Sequence, residues 1–120
     1  MAKPEREFFA VQQVPWTPVQ GGLIAGLSER ILSADTDAGV ATRMLRFDPG
    51  TNTSAAGPQV HDFWEEVYIV EGALHDLTLN QTFTQGTYAC RPPGMGHGPW
   101  VAPEGCLTFE VRYAAPTGKP

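Results

Sequence analysis

The stretch EEVYIVEGALHDLTL, Glu65 to Leu79, decides the fold: two runs of β-branched, aromatic and aliphatic residues meet at Glu71-Gly72. Such runs, broken by a glycine that supplies the positive φ of a tight turn, predict a β-hairpin over 65–79. The same pattern extends outward in both directions. Alternation of apolar and polar residues predicts strands over Leu27–Leu32 and Val40–Phe47, closed by the turn formers Asp35 to Gly39 and Asp48-Pro49-Gly50. Further strands are predicted over Thr87–Arg91 and Cys106–Tyr113, separated by Pro92-Pro93-Gly94, which cannot sustain a ladder. No ten-residue stretch carries a helical period, so the expectation is an all-β chain.

With 120 residues, of which 42% are hydrophobic, the chain is long enough for one core and too short for two. We expect a single domain over 1–120, its core at about 25–113. Residues 1–15 would form an N-terminal arm and 114–120 a tail. Phe8, Phe9, Val11 and Val14 predict an edge strand in that arm, available to a barrel edge or a second subunit. The net charge of −5 speaks against a phosphate-tracking surface, so no nucleic-acid partner is expected. No apolar run approaches the roughly 20 residues of a membrane helix, and Met1 to Phe9 carries charges where a signal peptide needs apolar residues. The expectation is a soluble, cytoplasmic protein with no membrane partner. Cys90 and Cys106, the two cysteines, form no C-x-x-C pair and read as small core residues, with a disulfide between them left open.

The candidate chemistry lies in Gln59-Val60-His61-Asp62-Phe63-Trp64-Glu65 and in His97, after Pro92-Pro93-Gly94-Met95-Gly96. Residues two apart on a strand share a face, so Gln59 and His61 point together, and a turn through Asp62 to Trp64 would return Glu65 on a neighbouring strand. His97 joins them if the 87–91 strand lies alongside. Two histidines and one carboxylate leave coordination positions open, an arrangement suited to iron(II) oxygenases. Gln59 is either a fourth, weaker ligand or a residue that orients a bound water. A two-residue turn at Glu71-Gly72 places His75 opposite Tyr68, away from Glu65, and Asp76 on the interior face. Asp76, Tyr68 and Tyr88 are the candidate acid–base groups. Phe63, Trp64, Tyr68, Met95 and Trp100 are candidates for an apolar pocket. Arg43, Arg46, Arg91 and Arg112 are the cations placed to approach it and to bind a carboxylate or enolate.

Gly86, Pro92, Gly94 and His97 match each of these fixed positions of G-x5-P-x-G-x2-H, the second cupin motif; Val101 replaces its closing Asn. His61, Glu65 and Gly72 match the first motif, H-x-H-x3-E-x6-G, with Gln59 at its first His and Thr53 at the preceding Gly. The chain thus resembles the cupins over about Phe47 to Tyr113. Glu65 to Gly72, Gly86-Thr87-Tyr88 and Glu104-Gly105-Cys106 are similar to the small, single-domain ChrR-type group. That resemblance implies an RmlC-like jelly-roll barrel, a divalent metal on His61, Glu65 and His97, and a homodimer. It also implies kinship with ketone and diketone dioxygenases and with the cupin half of an anti-sigma factor. The expected function is metal-dependent chemistry on a small oxygenated substrate, with iron(II) favoured and manganese, zinc or nickel as alternatives. Dioxygenase-type carbon–carbon cleavage stands first, before a non-redox lyase, isomerase or cyclase, or a non-catalytic sensor module.

Overall fold

In the computed structural model, which describes residues 2–115, nine strands form one curled antiparallel sheet, a half-barrel. They are β1 (Thr17–Pro18), β2 (Leu27–Asp35), β3 (Val40–Phe47), β4 (Thr51–Asn52), β5 (Phe63–Asp76), β6 (Gln81–Thr84), β7 (Tyr88–Arg91), β8 (Trp100–Ala102) and β9 (Cys106–Ala114). The order is β1-β2-β3-β9-β5-β8-β4, with β6 and β7 also paired to β5. Among the described residues helix is confined to 3-10 turns at Val11–Gln13, Val19–Gly22 and Ser54–Ala56. None of the described helices is long and apolar enough to cross a membrane.

The predicted hairpin at Glu71-Gly72 is replaced by one 14-residue strand. Its first half pairs with β9 and β7, its second with β6 and β8, and a bulge between Ile69 and Glu71 lies at the changeover. Gly72 has φ +78°, and a Cβ there would come 2.2 Å from the Gly105 carbonyl oxygen. The glycine therefore serves a close approach to β9 rather than a reversal of the chain. The reversal comes later, through Leu77 to Asn80, whose φ is +52°. A one-residue bulge and a two-residue turn shift the alternation by the same step, which is why the expected faces of His75 and Asp76 are kept although the hairpin is not. His75 pairs with Thr82 and Val101, not with Tyr68.

The interior changes character along each central strand. Inward positions run Phe47, Leu45, Arg43 on β3, Ile69, Val67, Glu65 on β5, and Cys106, Thr108, Glu110, Arg112 on β9. At one end Leu45, Phe47, Ile69, Leu74, Ala102 and Cys106 form the apolar cluster. Cys106 is buried and Cys90 exposed, both free, so no disulfide forms and only Cys106 is a core residue. Burial, with Glu110 adding to it, pushes the Cys106 thiol up to about 12.

The N-terminal arm holds no strand over residues 8–14, correcting the predicted edge strand. It lies along β2 instead: Arg6 donates to the Leu32 carbonyl, Arg30 to that of Val14, and the guanidiniums of Arg30 and Arg46 lie over the Trp16 ring. Phe8 is fully exposed. Of the predicted tail, Ala114 ends β9 and residues 116–120 lie outside those described.

Candidate metal centre

Glu65 sits at the charged end of β5, directly opposite Arg91 on β7 and Arg112 on β9. Opposite charges across a ladder stabilise such a register. His61 precedes the strand, which begins at Phe63, so the predicted return onto a neighbouring strand is not needed: His61 and Glu65 lie on one continuous segment. His97 is carried by the loop between β7 and β8. That loop is tied to the His61 segment by three backbone hydrogen bonds, Gln59 N to His97 O at 2.7 Å, His97 N to Gln59 O at 2.9 Å and Gly94 N to His61 O at 2.8 Å. The β7 alignment expected from the sequence therefore does bring His97 to the pair.

His97 Nε2 is 3.5 Å and His61 Nε2 4.0 Å from Glu65 Oε1, and one donor atom from each residue lies within 4.8 Å of the other two. Donors bound about 2.1 Å from one ion stand roughly 3.0–3.4 Å apart, so small side-chain rotations complete a three-ligand site. Both rings are held. His97 Nδ1 is 3.3 Å from the Met95 carbonyl, which favours a proton on Nδ1 and a free Nε2. His61 stacks on Phe63 at 4.4 Å. Burial, then the Arg91 charge and His61, hold His97 down at about 4. Burial and Arg112 lower His61 as well. Both imidazoles are therefore neutral at pH 7, the form that ligates. Burial and Glu110 raise the Glu65 pKa, against Arg112, Arg43 and Arg91, which lower it.

Gln59 lines the same cavity, of about 360 Å³. Its amide nitrogen donates to the Ala56 and Gly57 carbonyls, both at 3.4 Å, which leaves the amide oxygen without a donor among the described residues. Beneath the three donors lies a charged network. Arg43 Nε and Nη2 donate to Glu110 Oε1 at 3.1 and 2.9 Å, Arg43 Nη1 to Glu29 at 2.6 Å, and Thr108 to the other Glu110 oxygen at 2.9 Å. Sequence reading missed Glu29 and Glu110. The signal was present in the inward phase of Arg43, but it needed the β3–β9 register to find its partner.

The other candidates are distributed differently. Tyr68 and Tyr88, expected as acid–base groups, project from the outer face, where the Tyr88 and Tyr113 hydroxyls both donate to Glu66. Positions 65, 67 and 69 face inward and 66 and 68 outward, and Tyr88 opposite Tyr68 shares its face. Asp76 is buried as expected, yet its carboxylate accepts the Thr78 and Leu79 amides at 2.9 Å each and closes the turn into β6. Arg46 faces out, and Trp64 stacks on Tyr113 at the surface. Phe63, Arg43, Arg91 and Arg112 do line the metal-site cavity. Trp100 also lines it, and with His97 and Arg91 divides it from a second, apolar cavity of about 510 Å³ bordered by Val67, Ile69, Leu74, Phe83 and Met95.

Solved structures share this fold. An RmlC-like cupin from Shewanella frigidimarina is 24% identical, with a TM-score of 0.73 over 98% of this chain and 97% of its own. The polyketide cyclase RemF of Streptomyces resistomycificus is 20% identical, TM-score 0.73, over 95% and 83%. A putative acetylacetone dioxygenase from Methylibium petroleiphilum is 17% identical, TM-score 0.71, over 100% and 88%. No curated protein matches the chain by sequence. The sequence pattern of the ChrR cupin-like domain matches residues 4–115, and with the barrel and the His61, Glu65, His97 cluster in hand, the chain belongs to that cupin family.

Proposed function

We propose that the chain holds one divalent metal ion on His61, Glu65 and His97 and works on a small oxygenated organic molecule, with iron(II) the favoured ion and oxidative cleavage of a ketone or diketone the favoured reaction. The observation that carries this reading is the convergence of two neutral imidazoles and one carboxylate, within 4.8 Å, on the wall of a 360 Å³ cavity. A bound ion would supply Lewis acidity toward a substrate oxygen and, as iron(II), a position for dioxygen. The chain's own part is to hold the donors. Met95 orients His97, Phe63 stacks His61, and Arg91 and Arg112 hold Glu65 between them. Gln59 we assign as a fourth, weaker oxygen donor. Phe63 and Trp100 give the cavity an apolar flank that limits water.

The oxidative reading is favoured over a lyase, isomerase or cyclase because those need a proton carrier at the site. Asp76 and Tyr88 are engaged elsewhere, Tyr68 faces outward, and Glu29 and Glu110 are locked to Arg43. A non-catalytic sensor remains the second reading, supported by the family to which the chain belongs. The test is dioxygen consumption by iron(II)-loaded protein with β-diketones and hydroxylated aryl ketones. Substrate-dependent uptake with matching carbon–carbon cleavage products supports the proposal. Tight binding of those compounds with neither uptake nor conversion would turn it to the sensor.

A further inference from the structure

Three arginines line the metal-site cavity, and they are not equivalent. Arg43 is engaged at every nitrogen: all three bond to Glu29 or Glu110. Arg91 lies 3.5 Å from Glu65 Oε1 with its guanidinium 5.3 Å from the Trp100 ring centre. Arg112 is different. Its Nε stands 3.6 Å from Glu65 Oε2, beyond hydrogen-bonding distance, and is buried with no hydrogen-bond partner among the described residues. The group lies over Phe63, 5.0 Å from the ring centre, and Arg112 pairs with the small Ala41 on β3. Its side chain is 27% exposed. A buried donor without an acceptor is a standing penalty that a ligand removes. Arg46 Nε shares the condition, but on the outer face, 3.5 Å from Asp48 and over the Trp16 ring, outside both cavities described above.

The charges point the same way. Glu29, Glu65 and Glu110 balance Arg43, Arg91 and Arg112 around the cavity, so a divalent ion would leave two positive charges uncompensated in a largely buried space.

We propose that the cavity takes a small organic carboxylate, of the oxo-acid or aryl-acid type, and that Arg112 is the residue that clamps its carboxylate beside the His61, Glu65 and His97 centre. A guanidinium presents two parallel N–H groups matched to a carboxylate, and the Phe63 ring lies against it. This narrows the proposed substrate to an anion and rests on the metal reading for the second charge-compensating role, though not for Arg112 itself.

The experiment is calorimetric titration of manganese(II)-loaded and metal-stripped protein with matched pairs, pyruvate against 2,3-butanedione and benzoate against benzamide. The proposal expects the anion of at least one pair to bind roughly 10- to 100-fold more tightly than its neutral partner. Arg112→Gln should erase that preference in metal-stripped as well as in manganese-loaded protein, Arg112→Lys should restore part of it, and Arg46→Gln should leave it intact. Neutral partners binding as tightly as the anions in wild-type protein would overturn the proposal, as would an undiminished preference in folded Arg112→Gln. If manganese fails to bind while stripped protein shows the Arg112-dependent preference, the metal reading falls and the carboxylate assignment stands.

Discussion

The two ends of the barrel interior are built from the same strands and solve opposite problems. At the floor, Phe47, Leu45, Ile69, Leu74 and Cys106 are removed from water and contribute in proportion to their apolar area. At the mouth, at the other end of the same inner faces of β3, β5 and β9, the inward positions become Arg43, Glu65, Glu110 and Arg112, whose burial opposes folding unless each charge is paired. Only Arg43 and Glu110 are fully paired. Glu65 is left with arginines at 3.5 and 3.6 Å and imidazoles at 3.5 and 4.0 Å, none at the short distance of a strong charge-assisted hydrogen bond. A strand that alternates inside and outside can thus devote one end of its inner face to stability and the other to binding, without any change in backbone pattern.

The sharpest way to break this contrast is within the mouth itself. Arg43→Met strands Glu29 and Glu110 together, and we expect a loss of about 3–5 kcal/mol in denaturant unfolding. A change below about 1 kcal/mol would mean the network does not hold the mouth together. Leu45→Ala at the floor should lose roughly 2–5 kcal/mol, with metal bound per folded molecule unchanged. If Leu45→Ala also lowers that ratio, the two ends are not separable.

A pH titration separates them by charge. His97 titrates at about 4 folded and about 6.5 unfolded, so it has no effect above pH 6.5. As pH falls from 6.5 toward 4 the unfolded chain takes up a proton the folded chain refuses, and metal-free protein loses stability. Glu65, raised on folding, acts in the opposite sense above 4.5, where the folded form holds the proton longer. His97→Asn should therefore flatten the acid-side loss, which melting temperatures across pH 4–7 would register. An unchanged slope would assign the acid sensitivity to other groups.

Gln59→His is expected to tighten metal binding roughly tenfold, measured by competition with a chelator, since imidazole is the better donor at that position. Unaltered affinity would place Gln59 outside the ligand set. The smallest effect belongs to the outer face: Tyr68→Phe and Tyr88→Phe should leave both metal content and turnover as in the wild type, because neither hydroxyl faces the cavity.

Much of this contrast was legible in the sequence. Alternation located β2, β3, β7 and β9 to within a few residues, and the resemblance to the two cupin motifs singled out His61, Glu65 and His97, which the fold brings together. Gly72 misled because a glycine at positive φ serves a turn or a close approach equally well, and only the neighbour at Gly105 distinguishes them. β6 and β8, four and three residues long, fall below the length at which periodicity speaks. Tyr68 and Tyr88 were misplaced for a different reason. Closeness in sequence to a ligand says nothing about face, and alternation from Glu65 already put Tyr68 on the other side. The Arg43–Glu110 pair, 67 residues apart, depends on a register that the local sequence does not encode.

The central claim, one divalent ion on His61, Glu65 and His97, is tested most directly by elemental analysis of protein purified without chelator or metal-binding tag, beside folded His61→Ala and His97→Ala. The account predicts close to one equivalent of a first-row metal, foremost iron, in the wild type and almost none in either variant. No metal in the wild type after incubation with iron(II), manganese(II) and zinc(II), or full occupancy in both variants, would contradict it.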